Sequence, residues 1–361
     1  MSDEVWWFVL KETTMDLDLD TFLTVVYCTI DELFQAHFAA AKPRRPGKAP
    51  LLSDSEVLTL MVLAQWHPSR SERLVGRYAA AHWRAYFPHL LDQSSFNRRA
   101  RDLHGVLAAL GPAIATHVAH QLHVRVPYEV LDGIPVPVMA RCRGNRHRCF
   151  ANEVGIGCGG SDRDWYYGIQ LLLLVTPAGL ITGWTCGSAA TEERWVADAL
   201  LRWRVDPQAS APTLGELAMP LFGHDHPQRQ RLGPTGPIGP TVSTGRGHDA
   251  PLLADLGFSG VKWAAHWRQD YRATVVTKAV YDVVVDSDER RSLKRIFTGA
   301  RQVIETVGTW LCDRFGLKRP RARSYWGLLT RIAAKVAAFN LGVYVNQLYQ
   351  RPTFAFFDPF A

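Results

Sequence analysis

Asp132 and Asp255 each close a short apolar run of strand character, Tyr128–Asp132 and Leu252–Asp255. Glu305 lies on a later run with helical spacing. In an α/β sheet the strand ends are where functional side chains converge. Three carboxylates gathered at such an edge offer hard oxygen donors suited to Mg²⁺ or Mn²⁺, ions that keep waters and take up phosphate oxygens. Two such ions about 3.5–4 Å apart activate an attacking oxygen and stabilise a leaving one, as phosphodiester cleavage requires. Spacing alone leaves a second reading open, because the chain has 34 Asp plus Glu. In that reading the two aspartates cap turns, and Glu305 pairs with Arg301 one helical turn before it.

The elements that must position these residues fall into two patterns. The first ~125 residues read as helical. Met15–Gln35 carries Phe22, Val25, Val26, Ile30 and Phe34 at helical spacing, and a polar, Pro-rich break follows at Ala41–Pro50. Ser53-Asp-Ser-Glu56 has the form of a capping box, a second helix spans Ser71–Trp83, and a third starts near Ser94 or Ser95 with Asn97, Arg98, Arg99 and Arg101 on its first turns. Three short helices ending in a basic one resemble a helix-turn-helix unit, whose last helix enters the major groove.

From Pro127 strands take over: Tyr128–Asp132, then a hairpin from Tyr166–Thr176 through Pro177-Ala-Gly179 to Leu180–Cys186. A helix over Thr191–Arg204 is expected to turn Trp195, Ala199, Leu200 and Trp203 to one side. Next come an irregular insertion over 206–251, the Asp255 strand, a helix over Phe258–Tyr271 and a strand over Ala273–Thr277. The last third is helical again, with Ser324 capping the final helix. This divides the chain into a helical region 1–125, an α/β region 126–346 and a tail 347–361.

Net charge is +7 with a pI near 9.2, and such a surface attracts polyanions. Twelve Lys or Arg fall within 290–335 against only Glu305 and Asp313, so the excess surrounds the Glu305 helix, where phosphate neutralisation would supply DNA affinity. Within this stretch lie Arg301, Lys318, Arg319, Arg321 and Arg323, and the last three would face a backbone if extended. A second basic run, Arg141, Arg143, Arg146 and Arg148, follows the Asp132 strand. Of the twelve tryptophans, Trp165, Trp263, Trp267 and Trp326 lie near these segments. Most are expected in the core, with one or two available to stack on an unpaired base. No apolar run reaches the ~18–20 residues of a membrane span, and the first residues are acidic where a secretory signal is basic, so a cytoplasmic protein without membrane partners is expected. Six cysteines without CxxC pairs read as reduced thiols. The loose group Cys142, His147, Cys149 and Cys158 fits no standard zinc spacing.

Several short segments, in order, resemble the DDE transposases of bacterial insertion sequences, from Leu51 to about Asn346. They are Leu51-Leu-Ser-Asp-Ser-Glu-Val-Leu-Thr-Leu, Ser95-Phe-Asn-Arg-Arg, Val130-Leu-Asp132, Tyr167-Gly-Ile-Gln-Leu with Val175-Thr-Pro-Ala-Gly, Leu253-Ala-Asp255-Leu-Gly-Phe, and Arg301-Gln-Val-Ile-Glu305-Thr-Val. The resemblance implies an RNase H-like mixed sheet flanked by helices, preceded by an all-helical DNA-binding region. It further implies Asp132, Asp255 and Glu305 as catalytic ligands of two Mg²⁺ or Mn²⁺ ions, and a homodimer assembled on double-stranded DNA that cuts transposon ends and transfers them to target DNA. Arg98, Arg99, Arg101, Arg301, Lys318, Arg319, Arg321 and Arg323 are the expected DNA contacts. Thr244-Gly-Arg-Gly-His-Asp249 competes for the second Asp, but only Asp255 follows an apolar strand. Departures from the family are Leu256 after the second Asp, Gln170 where lysine is frequent, and Cys312 where a basic residue is frequent. They keep open the alternative of a decayed or repurposed copy that binds DNA without cutting it. A metal nuclease without strand transfer is a third reading.

Overall fold

The chain, in a computed structural model that describes residues 17–42, 47–68, 71–123, 126–139, 141–144, 150, 153–159, 164–205 and 250–360, is a mixed α/β fold. Its elements are α1 (Leu19–His37), α2 (Asp54–Leu63), α3 (Glu72–His82), α4 (Gln93–Asp102), α5 (His104–Gln121), β1 (Glu129–Met139), α6 (Arg141–Gly144), β2 (Gly155–Gly159), β3 (Asp164–Val175), β4 (Ile181–Ser188), α7 (Glu193–Val205), β5 (Leu252–Ala254), α8 (Val261–Tyr271), β6 (Val275–Thr277), α9 (Ser287–Asp313) and α10 (Tyr325–Leu348).

Side-chain caps fix where the helices begin. Ser53 and Glu56 form the expected capping box of α2. Ser324 accepts from the Gly327 amide at the start of α10. In α4 the cap is Asp92, which accepts from the Ser94 and Ser95 amides at 2.9 and 3.0 Å, so the helix starts one or two residues before the serines. Pro112 sits inside α5 without breaking it. The carbonyl of Ala108, four residues earlier, has lost its helical donor and accepts the Trp184 indole N–H at 3.3 Å.

The sheet is mixed, in the order β2-β3-β1-β5-β6, with β4 continuing the β2 edge of β3. β1, β3 and β4 are antiparallel neighbours, whereas β5 runs parallel to β1 and β6 parallel to β5. Both faces are covered, which explains why β3 reads as the unbroken run Leu171-Leu-Leu-Leu-Val175 and not as an alternation. Leu171, Leu173 and Val175 join the α5–α9–α10 side, and Leu172 and Leu174 join α7 and α8. β1 extends seven residues past Asp132, through Pro135 and Pro137. Pairing with β5 ends at Leu131. The Glu129 amide points toward the β5 side, donating to the Pro251 carbonyl. By alternation, positions 135 and 137 point that way too, away from β3, so the prolines lose no donor that the pairing with β3 uses.

α10 is buried along most of its length, and among the described residues it alone has the length and hydropathy of a membrane span, with 94% of its apolar window inside the fold. Asn340 sets its register. Its amide donates to the carbonyls of Gly111 in α5 and Ile181 in β4, each at 2.8 Å, and its oxygen accepts from the Ile181 amide at 2.9 Å. A side chain at Gly111 would meet Val336 at 2.7 Å, so α5 and α10 need that glycine to approach this closely. Stretches 1–125, 126–346 and 347–361 all contribute to one apolar cluster. In the last of them Phe356 packs on Trp310 and Phe339, Phe357 on Phe22, and Phe360 on Tyr78 and Trp83.

Candidate active site

The parallel pairing of β1 with β5 places Leu131 opposite Ala254, so the next residues, Asp132 and Asp255, stand side by side where β5 ends. Each is held by a glycine amide just beyond it. Gly133 N–H donates to Asp132 Oδ1 at 2.8 Å, and Gly257 N–H donates to Asp255 Oδ1 at 2.8 Å, capping a short 3-10 turn over Leu256–Phe258. The choice of Asp255 therefore rests on a strand register. The competing Asp249 lies outside the described residues, as does the insertion up to 249.

Side chains alternate along β1, so Asp132 shares the α9 face with Val130 and Ile134 while Leu131 faces α7. α9 crosses that face closely at Gly308, where an added methyl would sit 3.3 Å from Ile134. Glu305 lies one turn earlier on α9. It is exposed and accepts from Arg301 Nε at 2.6 Å, the pairing that the second reading of the spacing anticipates. Both members of the pair still act on Asp132. Its carboxyl is pushed up to about 6, first by burial and then by the charges of Asp255 and Glu305, with the Gly133 amide and Arg301 opposing.

A fourth carboxylate was not foreseen. Glu193, in the first turn of α7, reaches the same edge from the opposite face of the sheet. Its Oε1 lies 3.2 Å from where a side chain at Gly133 would begin, and its Oε2 3.1 Å from the equivalent point at Gly257. It thus straddles the glycine neighbours of both aspartates. Burial, followed by the charges of Asp255 and Asp132, pushes its carboxyl up to about 7, and a hydrogen bond donated by Gln170 opposes this. The glutamine standing in place of lysine thus holds Glu193. Only its location, an acid opening the helix that follows the hairpin, marks Glu193 in the sequence.

Among the described residues no three His, Cys, Asp or Glu side chains converge closely enough to hold a metal ion as they stand. The donor set nonetheless suits a hard cation. Asp132 and Asp255 adjoin, Glu193 is beside them, and the Arg301 guanidinium partly offsets their charge at Asp132. The oxygens are of the right chemistry, and their mutual repulsion is what a bound cation would relieve.

The expected DNA-contact residues divide. Arg98, Arg101, Lys318, Arg319, Arg321 and Arg323 are exposed. Arg99 instead is partly buried, donating to the Leu52 carbonyl and pairing with Asp54, so it ties α4 to α2. Arg301 is engaged with Glu305. The segment 319–323 is not extended, because Arg321 adopts φ +53° in the left-handed region and Pro320 is buried. Lys335, one of the twelve basic residues, is buried on Gln65 at 2.8 Å. Trp267 is buried. Trp195 is exposed, packing edge-on against Trp263, and is not part of the buried α7 stripe. Trp165 is exposed beneath Arg141, whose guanidinium carbon lies 5.0 Å from the ring centre. Cys142 and Cys158 are exposed cysteines, while His147, Cys149, Arg146 and Arg148 lie outside the described residues.

No family model, curated protein or solved structure matches this chain.

Proposed function

We propose that the chain is a DNA transposase of the DDE class, hydrolysing a phosphodiester at a transposon end and transferring the freed 3′ end into target DNA. The observation that carries this reading is the pairing of Asp132 with Asp255 at the ends of adjacent parallel strands, within electrostatic reach of Glu305 on the crossing helix α9. The sheet order supports an RNase H-like assignment: four antiparallel strands, β1 to β4, then two parallel ones added at the β1 edge, with helices on both faces. Two Mg²⁺ or Mn²⁺ ions held by Asp132, Asp255 and Glu305 would supply an activated attacking oxygen and neutralise the leaving one. Gln170 fixes Glu193 beside them as a further oxygen donor. For Glu305 to take part, Arg301 releases it and turns to a phosphate oxygen, a better match for a guanidinium fork. Double-stranded DNA is the partner, with Arg98, Arg101, Lys318, Arg319 and Arg323 supplying exposed positive charge, a homodimer forming on the paired ends, and the cytoplasm as the site of action.

The Arg301–Glu305 ion pair favours one rival, a decayed or repurposed copy that binds DNA without cutting. The decisive measurement is Mg²⁺-dependent nicking of a labelled duplex taken from the DNA flanking the gene, with wild type compared to Asp255→Ala. Nicking by wild type that falls at least about 10³-fold in the variant is expected, since removing a ligand of the catalytic ions forfeits several kcal/mol of transition-state stabilisation. Binding without nicking, in Mg²⁺ and in Mn²⁺, would select the rival.

A further inference from the structure

A cleft of about 970 Å³ lies between α3, α4 and the start of α10, and none of its lining residues belongs to the carboxylate edge. Three parts of the sequence meet there, 60–65, 72–104 and 321–334. Arg73, Arg77, Arg84, Arg101 and Arg323 stand along it, all exposed and none with a carboxylate partner among the described residues. Its two acids are already engaged: Glu72 accepts from Arg331 at 2.9 Å, and Asp92 caps α4. The floor is apolar, formed by Leu60, Leu90, Leu91 and Phe96, with the Asn97 amide beside it.

Five uncompensated guanidinium groups around a concavity repel one another and concentrate anions there. An inorganic anion would satisfy the rim and leave the apolar floor wet. The volume is that of a site for a ligand of one or two nucleotides, too small to swallow a duplex. An apolar lining beside exposed arginines matches the two ends of a nucleotide: its base is hydrophobic on both faces, and its phosphate is the preferred partner of arginine.

We propose that this cleft binds nucleotides of an unpaired nucleic-acid strand, with bases over Phe96 and the leucines and phosphates on Arg73, Arg77, Arg84, Arg101 and Arg323. The inference stands apart from the carboxylate reading, since it requires no chemistry at Asp132. A free nucleotide presents the same chemistry, so both sources belong in the test.

Fluorescence anisotropy of a labelled single-stranded DNA of about 12 nucleotides would be followed with the full chain, using as competitors the same sequence as duplex, ADP, and poly-glutamate. Replacing Arg77→Ala and Arg101→Ala together should weaken strand binding at least tenfold. It should also flatten the slope of log K against log salt by about 1.4, two phosphates at about 0.7 each. Arg77→Lys with Arg101→Lys should keep most of that slope, and an unchanged circular dichroism spectrum shows that the fold persists. Displacement of the strand by ADP supports the site and assigns it to free nucleotides; failure of ADP to displace it supports the strand. Asp132→Asn should bind the strand like wild type, so loss of nicking and loss of this site are separable. Unchanged affinity in the double alanine variant overturns the proposal, as does competition by poly-glutamate or duplex equal to that of the strand.

Discussion

Two acidic residues three positions apart on β1 meet opposite fates. Glu129 is buried and accepts from Arg204 Nη2 at 2.9 Å and from the Thr182 hydroxyl, with Arg204 Nη1 completing the ion pair at 2.7 Å. Asp132 also leaves bulk water, but its neighbours are Asp255, Glu193 and Glu305, with Arg301 opposing them. At the first residue of the strand charge is closed off and serves the fold. Three residues on it is left in excess, a cost that the folded state bears and that a cation can relieve. The contrast separates a carboxylate that serves the fold from a candidate functional one by its partners and not by its burial.

The largest effect expected is on the closed end. Glu129→Gln strands the Arg204 charge in the interior and should cost about 3–5 kcal/mol, read from urea unfolding. Asp132→Asn should cost nothing at neutral pH and should stabilise by on the order of 2 kcal/mol, because it removes a charge the fold resists. Equal losses in both variants would erase the distinction.

Next in size is the pH dependence. The carboxyls of Asp132 and Glu193 are raised above their ordinary values, to about 6 and about 7. The folded state therefore binds their protons more tightly than the unfolded chain does. Their contribution is most favourable below about pH 4 and is lost as pH climbs through 6 to 7. Relative to an Asp132→Asn, Glu193→Gln double variant, wild-type stability should fall by on the order of 3 kcal/mol between pH 4 and 7.5. Saturating Mg²⁺ should restore that loss in wild type only. A rise with pH would refute the repulsion.

Smallest is the effect of Arg301→Gln. The Arg301–Glu305 pair is exposed, so stability should change by less than about 1 kcal/mol. Asp132 would lose a cation that holds its proton affinity down, and its titration, followed by carboxyl NMR, should move upward. No movement would detach α9 from the candidate site.

Much of this arrangement was legible in the sequence. Asp132 and Asp255 were legible because an apolar run leads directly into each, and a strand that stops on an acid presents it at an edge. Ser53 and Glu56 announced α2 through local hydrogen bonds. β2, Gly155–Gly159, was missed because three of its five residues are glycine and carry no alternation. Glu193 was missed because its neighbours, Gly133, Gly257 and Gln170, lie 23 to 64 positions away, and only the closed sheet collects them. Arg99 read as a DNA contact for the same reason: its partner Asp54 lies 45 residues back. Local periodicity reports burial well, whereas the choice of partner for a charge belongs to the tertiary fold.

The prolines of β1 have a consequence beyond tolerance. Past Leu131 no described strand covers the outer edge of β1, and a bare strand edge is a template on which another chain can zip into a shared sheet. Pro135 and Pro137 leave that edge without two of the donors such pairing needs. The uncovered edge beside the carboxylates therefore offers an unfolded neighbour little to grip, and need not become a seed for aggregation.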